Sequence, residues 1–442
     1  MKKVLGTMAA LGLVAGVAST ASAVEWKMTG KYLVEGYYMS DAGTTTLGVD
    51  LTETAAASNT SDAWYQHTFE VSPTMKVNDK ISMMATIRLV DNTVWGAQTD
   101  GDTESADVMD TANDFYLHTM YMKYMSPIGE VRIGRHPAGG YGTTFADTDS
   151  RQDRIMWWPS FVPKPWSVLL FTGKNFDNDL QTGSDVGSDQ NFDHYEARLN
   201  YKDDALDAGI RYSLSNDNRN TTGSEKELYA GYAKYKMNNY FANAEVAYFG
   251  GDSSTTVDWD ALGYMLEVGG KFNNLTVSAM YFFAEGDDEG SANDNEGFFN
   301  ATASGIAPVT ATGTGHEFTP LYVLTGRTTG LLNPDQTGVL NGGIGQTDDG
   351  VKAFVLAADY KVSDRLGLHA AIGYAEADEE TATYDDEYGW EYNIGAAYKL
   401  LDNLTYEAHF GYLDTGDYFK GAAGANQTEN VYLLSHSLTM TF

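Results

Sequence analysis

From Tyr388 to Leu400 the chain alternates: Tyr388, Trp390, Tyr392, Ile394, Ala396, Tyr398 and Leu400 are apolar or aromatic, and Gly389, Glu391, Asn393, Gly395, Ala397 and Lys399 between them are small or polar. The same split sets Tyr195, Ala197, Leu199 and Tyr201 against His194, Glu196, Arg198, Asn200 and Lys202. It recurs with Leu206, Ala208, Ile210, Tyr212 and Leu214 against Asp207, Gly209, Arg211, Ser213 and Ser215. Successive side chains of a strand point to opposite faces, so each segment reads as a strand with one dry and one wet face. Strands of soluble sandwiches run about 5 or 6 residues; many of these run past ten.

Lipid is the medium that accepts a dry face of this length. It offers no partner for backbone N–H or C=O groups, so a sheet enters it only when closed. Aromatic residues at the ends of the apolar faces, short connections on one side and long polar ones on the other point to an all-β fold, a transmembrane antiparallel β-barrel. The 442 residues suffice for one large barrel, and Gly 46 and Tyr 29 against Pro 9 favour strands and tight turns. With Cys 0 there is no disulfide framework and no thiolate metal site. Residues 1–23, "MKKVLGTMAALGLVAGVASTASA", join Lys2 and Lys3 to an apolar run and end in Ala21-Ser22-Ala23. They read as a signal peptide removed on export, leaving residues 24–442 as the barrel.

One phrase repeats: "KVNDKISMMATI", "KMNNYFANAEVAYF", "KFNNLTVSAMYF", "KVSDRLGLHAAIGY" and "KLLDNLTYEAHFGY" each place a lysine and an apolar residue before turn formers. Each copy is read as a periplasmic turn between a descending and an ascending strand. Parity puts the lysine on the wet face, so Lys76, Lys202, Lys236, Lys271, Lys361 and Lys399 gather near the inner mouth. Two readings stand: ordinary solvated strand ends, or a ring of cations that affects permeation. Inner turns near Asn78, Pro127, Pro159 to Pro165, Asp203, Asn238, Asn273, Ser363 and Asp402 imply 18 strands, or 16 if the proline-rich "WWPSFVPKPW" forms no hairpin.

At the other end, "AQTDGDTESADVMDTAND", "EGDDEGSANDNEG" and "EADEETATYDDE" are long acidic loops that gather much of the formal net charge of −33 on the outer rim. They are ordinary solvated loops or a place for divalent cations bridging to lipopolysaccharide phosphates. Neither "DGDTESAD" nor "DTDSRQD" completes a calcium loop, and no cofactor is expected. The region 286–349 is too long for a simple hairpin loop and holds "HEFTPLYVLTG".

The chain resembles the general porins of Gram-negative outer membranes, of the homotrimeric type. The resemblance rests on "EWKMTGKYLVEGYY" after the cleavage site, on "GEVRIGRHPAGGYGTTFAD" and on the C-terminal "LSHSLTMTF". It implies a final strand read by the barrel assembly machinery through Leu438, Met440 and Phe442. It also implies a third outer loop, residues 137–153 after Gly134-Arg135, folded inward to narrow the pore; the loop motif of enteric porins is absent there. In such a pore Asp147, Asp149 and Asp153 would face basic residues of the wall. Parity makes Arg88, Arg132, Arg198 and Arg211 lumenal, while Arg135 shares the parity of Val131 and Ile133 and reaches the pore only if the strand breaks at Gly134. Opposed charges across a gap are only partly screened and would penalise apolar solutes.

The function expected is therefore passive diffusion of small hydrophilic solutes and ions through a water-filled channel in the outer membrane. A substrate-specific channel for sugars or organic acids, with Tyr37, Tyr141 and Phe145 along the path, is the alternative. A barrel-embedded hydrolase and an adhesive barrel are further rivals, but no nucleophile elbow, zinc-protease helix or phosphate loop is present. The negative charge disfavours nucleic acid. Met75, Met83, Met84, Met120, Met122 and Met125 cluster in the first four strands, which leaves two readings: a wall for contact between barrels or plain lipid-facing surface.

Overall fold

The computed structural model describes residues 24–40, 61–95, 116–137, 140–143, 145, 151–177, 191–218, 223–288, 293–298, 318, 320–325, 349–380, 385–420 and 430–442. Residues 1–23, read above as a signal peptide, the acidic stretch 97–114, Asp147, Asp149 and most of 286–349 lie outside the described residues. The strands are β1 (Glu25–Met39), β2 (Asp62–Lys76), β3 (Ile81–Val94), β4 (Tyr116–Ser126), β5 (Gly129–Pro137) and β6 (Arg151–Pro159). Next come β7 (Trp166–Asp177), β8 (Asn191–Lys202), β9 (Leu206–Asp217), β10 (Ser224–Met237), β11 (Tyr240–Asp252), β12 (Asp258–Phe272) and β13 (Leu275–Ala284). A two-residue strand, β14 (Asp294–Asn295), is followed by β15 (Val351–Lys361), β16 (Leu366–Glu376), β17 (Glu387–Leu401), β18 (Leu404–Thr415) and β19 (Val431–Thr441).

Leaving out β14, which pairs parallel with the start of β12, every strand is antiparallel to its neighbours in sequence and β1 closes on β19. The result is a closed barrel of 18 strands. At the seam Gly30 and Phe442 exchange both backbone hydrogen bonds (2.9 and 3.1 Å). A Cβ on Gly30 would lie 2.3 Å from the Phe442 ring, so the last residue packs where the first strand has no side chain. Leu438, Met440 and Phe442 share the exposed outer face of β19.

All eight inner turns fall where the turn formers stand, including the proline-rich 160–165 connection between β6 and β7. Asn238 and Asn273 adopt φ of 54 and 53°, the left-handed conformation that a two-residue hairpin of the common type demands and asparagine tolerates. In three wider turns a side chain closes the loop: Asn78 Oδ1 accepts the N–H groups of Lys80 and Ile81, Asp203 Oδ1 those of Ala205 and Leu206, and Ser363 Oγ those of Arg365 and Leu366. The repeated lysine gains a partner there, since Lys76 binds Asp79 at 2.8 Å and Lys361 binds Asp364 at 2.7 Å.

The outer face carries the apolar set. Tyr212, Tyr229 and Tyr248 stand side by side on β9, β10 and β11, with ring centroids 5.1 and 6.4 Å apart, and Tyr392, Tyr412 and Tyr432 repeat the row on β17 to β19. Tyr388 departs from the alternation. A bulge between β16 and β17, with Gly389 at φ 117°, shifts the register. The ring of Tyr388 turns inward, fully buried against Tyr418, and its hydroxyl donates to the Gly350 carbonyl. The methionines also divide. Met75, Met83 and Met122 lie in register on the outer face of β2 to β4 and Met120 follows them. Met84 instead accepts a hydrogen bond from Tyr121 on the lumenal face, and Met125 pairs with Glu130 on that same face.

Candidate permeation path

The wet faces of all these strands meet in the lumen, and their charges are segregated. Among the described residues, lumenal arginines lie on β3 to β9: Arg88, Arg132, Arg154, Arg198 and Arg211. On the other side, lumenal carboxylates come from β11 round to β1: Glu245, Glu267, Asp359, Glu391, Glu407 and Glu35. The arginine wall is cross-braced. Arg88 pairs with Glu70 at 3.4 Å and Asp91 at 2.7 Å, and Arg132 pairs with Glu130 at 2.7 Å while lying 4.5 Å over the Trp158 ring. Arg198 and Arg211 both face the buried Glu196, and the Tyr141 ring lies 5.2 Å from each guanidinium.

Two segments from the outer end reach into this lumen. In the first, residues 140–143 and Phe145, the Tyr141 hydroxyl donates to the Ala230 carbonyl at 3.2 Å. The N–H and the hydroxyl of Thr143 both donate to Glu245, the latter at 2.6 Å. Burial beside Glu245 keeps the Tyr141 phenol far above its ordinary pKa, hence neutral. Phe145 stacks on Phe298 and meets Phe318 edge-on at 5.1 Å, so this segment touches the second.

The second segment, residues 320–325, belongs to the "HEFTPLYVLTG" stretch that stands out within the overlong region. The fully buried carboxylate of Glu391 accepts the backbone N–H groups of Tyr322, Val323 and Leu324 at 2.8, 2.7 and 2.6 Å. Glycines of the wall make room: a Cβ on Gly373 would lie 2.6 Å from Leu321, one on Gly395 2.6 Å from the Tyr322 hydroxyl, and one on Gly411 3.1 Å from Val323. Leu321, Tyr322, Val323 and Leu324 are wholly buried in an apolar cluster with Leu228, Phe249, Phe282, Val355 and Leu413. The outer half of the lumen over β10 to β19 is thus filled by packed side chains.

Other residues singled out from sequence fall as follows. The β5 ladder passes Gly134 without a shift, so Arg135 stays on the outer face, opposite Met120 and Asp153. Asp153 is exposed with Ile155 and does not face the lumenal arginines, because Gln152, Arg154 and Met156 occupy the inner parity of β6. Arg154 obeys the parity rule that places Arg198, and was legible by it. The six lysines hold lumenal positions at the inner end, but Lys76, Lys202 and Lys361 are paired with Asp79, Asp207 and Asp364. Tyr37 is buried in the lumen, stacked on Trp64 at 5.5 Å. Among the described residues no group of three or more His, Asp or Glu side chains is placed to hold a metal ion.

Below the inward segments two cavities open toward the inner end. One, about 620 Å³, is lined by Lys202, Asp207, Lys234, Lys236, Glu267 and Phe318. The other, about 610 Å³, lies under Tyr322 between β12 and β1.

No family model matches the sequence, and a search of curated proteins returned no match. Solved structures do match. Pseudomonas aeruginosa OpdQ superposes with a TM-score of 0.56 at 11% identity over 94% of this chain and 97% of its own. Pseudomonas aeruginosa OccK9 gives 0.55 at 13% over 94% and 98%. The anion-selective porin from Comamonas acidovorans gives 0.45 at 11% over 95% and 100%. OpdQ and OccK9 share the fold of this chain, a closed antiparallel β-barrel of the kind that spans the Gram-negative outer membrane.

Proposed function

We propose that the protein is a porin of the Gram-negative outer membrane, a channel for passive diffusion of small hydrophilic solutes and ions. The observation that carries this reading is the lumen itself: a closed barrel with an apolar outside holds charged side chains on the inside, arginines on one wall and carboxylates on the other. That lining would serve no purpose in a dry interior, where each unpaired charge is costly. It suits water and ions crossing a transverse field. The test is single-channel recording of the purified protein in planar bilayers. Ohmic steps support it; a membrane that stays silent at any protein concentration refutes it.

A substrate-specific channel is the second reading. It is favoured by the two inward segments and by the Tyr141 ring over Arg198 and Arg211, a built contact point beside the path. Saturable block by one solute class separates it from general diffusion. We further propose that the outer methionine row of β2 to β4 is the contact wall of a homotrimer. The acidic rim would meet lipopolysaccharide through divalent cations, and the terminal Leu438, Met440 and Phe442 would be presented to the barrel assembly machinery.

A further inference from the structure

From β8 round to β18, leaving out β14, the apolar outer face is unbroken. On β17, Trp390, Tyr392, Ile394, Ala396 and Tyr398 succeed one another at the outward positions, and the other strands of this arc each carry four or more aromatic, aliphatic or glycine residues in a row there. β5 and β6 break the pattern. Each has 9 residues, against 10 to 15 in the other barrel strands. β5 offers Val131 and Ile133 to the outside before Arg135 interrupts, and β6 offers Trp157 and Ile155 before Asp153. The two charges stand directly across their ladder, yet among the described residues neither makes an ion pair.

Their depth makes the break costly. Arg135 lies six positions above Gly129 at the inner turn, and Asp153 six above Pro159. At about 3.4 Å per residue and a strand tilt of about 40°, that rise is about 16 Å, well inside the roughly 25 Å apolar band of such a barrel. Hydrocarbon gives neither charge a partner, so this flank suits contact with protein better than contact with lipid.

The far flank of the methionine wall supplies a match. On β19, His436 interrupts Leu434 and Leu438 on the outer face, and it too lies six positions from its inner end, Phe442. Gly36 across the ladder gives the imidazole room, since a Cβ there would lie 2.4 Å from His436 Nε2. Tyr65 and Tyr406 hold the ring from either side, at 5.6 and 5.8 Å between centroids.

We propose that Arg135 and Asp153 of one copy of this chain meet the His436 flank of a second copy inside the membrane. Copies in a bilayer are related by rotation about the membrane normal, which preserves depth and turns one flank of a wall toward the opposite flank of its neighbour. An imidazole N–H then donates to the Asp153 carboxylate, and the Arg135 guanidinium lies against the tyrosine rings beside it. The inference deepens the contact wall proposed above by placing charge at its edges. It rests on the barrel spanning a membrane, not on its conducting.

A chain with Cys 0 makes the test direct. On one copy Asp153 and His436 are six strand spacings apart, about 29 Å at about 4.8 Å each, so a short bis-maleimide joins D153C to H436C only between copies. In outer membranes, D153C/H436C should give covalent dimers and larger species on denaturing gels, whereas D153C alone and H436C alone should give none. R135Q/D153N should lose the heat-resistant oligomer while keeping the heat-modifiable band of a closed barrel and its conductance. The contact is overturned if D153C/H436C and R135C/H436C both stay monomeric under the reagent, or if D153C alone cross-links to itself. It is equally overturned if R135Q/D153N keeps the oligomer and unfolds at a higher temperature, the result for a flank that faces lipid. A conducting protein that never cross-links refutes the contact alone, whereas a cross-linked protein that leaves bilayers silent refutes the channel reading and leaves the contact standing.

Discussion

Glu391 holds the second inward segment by three hydrogen bonds to backbone donors, and replacing it with alanine is the sharpest test of how the lumen is filled. A buried donor deprived of its partner costs about 1–3 kcal/mol, so three orphaned N–H groups cost about 3–9 kcal/mol in the seated state. Against this, Leu321, Tyr322, Val323 and Leu324 remain fully buried, each worth about 1.5–3 kcal/mol, or about 6–12 kcal/mol together. Ordering the segment consumes about 1–2 kcal/mol of backbone entropy per residue. The opposing sums overlap, so E391A should turn a fixed segment into one that exchanges between seated and unseated positions. Single-channel traces should then show excursions to a higher conductance absent from the parent protein. Limited proteolysis from the outer side should cut the chain between residues 286 and 349 sooner. An E391A channel with the parent's conductance, noise and cleavage pattern would show that apolar packing alone seats the segment and that the carboxylate is incidental.

Four further outcomes are expected. Replacing Arg198 with glutamine removes one of the two guanidinium groups that face Glu196 and should shift the zero-current potential in a salt gradient toward cation preference; an unchanged potential would contradict a field set by the arginine wall. Gly30→Ala places a Cβ against the Phe442 ring and the Glu70 carbonyl, an overpacking cost of about 1–3 kcal/mol, and should lower the temperature at which the barrel loses its compact gel mobility. Burial and neighbouring acids hold Glu285 and Glu379 of the outer rim above the usual carboxylate range. Their ionisation therefore opposes folding at neutral pH, and that opposition is relieved as pH falls through the raised values. Unfolding temperature should rise from neutral to mildly acidic pH, and a fall throughout would refute the assignment. Met122→Lys should abolish any heat-resistant oligomer on gels if the outer methionine row is the contact between barrels.

Much of the barrel is legible in the residues because its rules are local. The eight turns are written in Asn, Asp, Ser and Pro, and parity alone assigns Arg88, Arg132, Arg198 and Arg211 to the lumen. Parity fails where the backbone adds a residue, as at Gly389, which turns Tyr388 from the lipid side into the lumen. It holds where a break seems plausible, at Gly134, and so keeps Arg135 outside. The filling of the lumen is harder to read, because contacts between Glu391 and residues 322–324 span 67 to 69 positions and no period announces them. One trace exists. Gly373, Gly395 and Gly411 leave bare patches on the wet faces of neighbouring strands, and bare wall inside a pore marks where another part of the chain leans.

The seam between Gly30 and Phe442 bears on how the molecule is made. The two edges of the sheet, β1 and β19, satisfy only each other, from Lys31 opposite Thr441 to Met39 opposite Leu433. Any folding intermediate in which β19 has not reached β1 therefore carries two open edges, each a template for pairing with another chain.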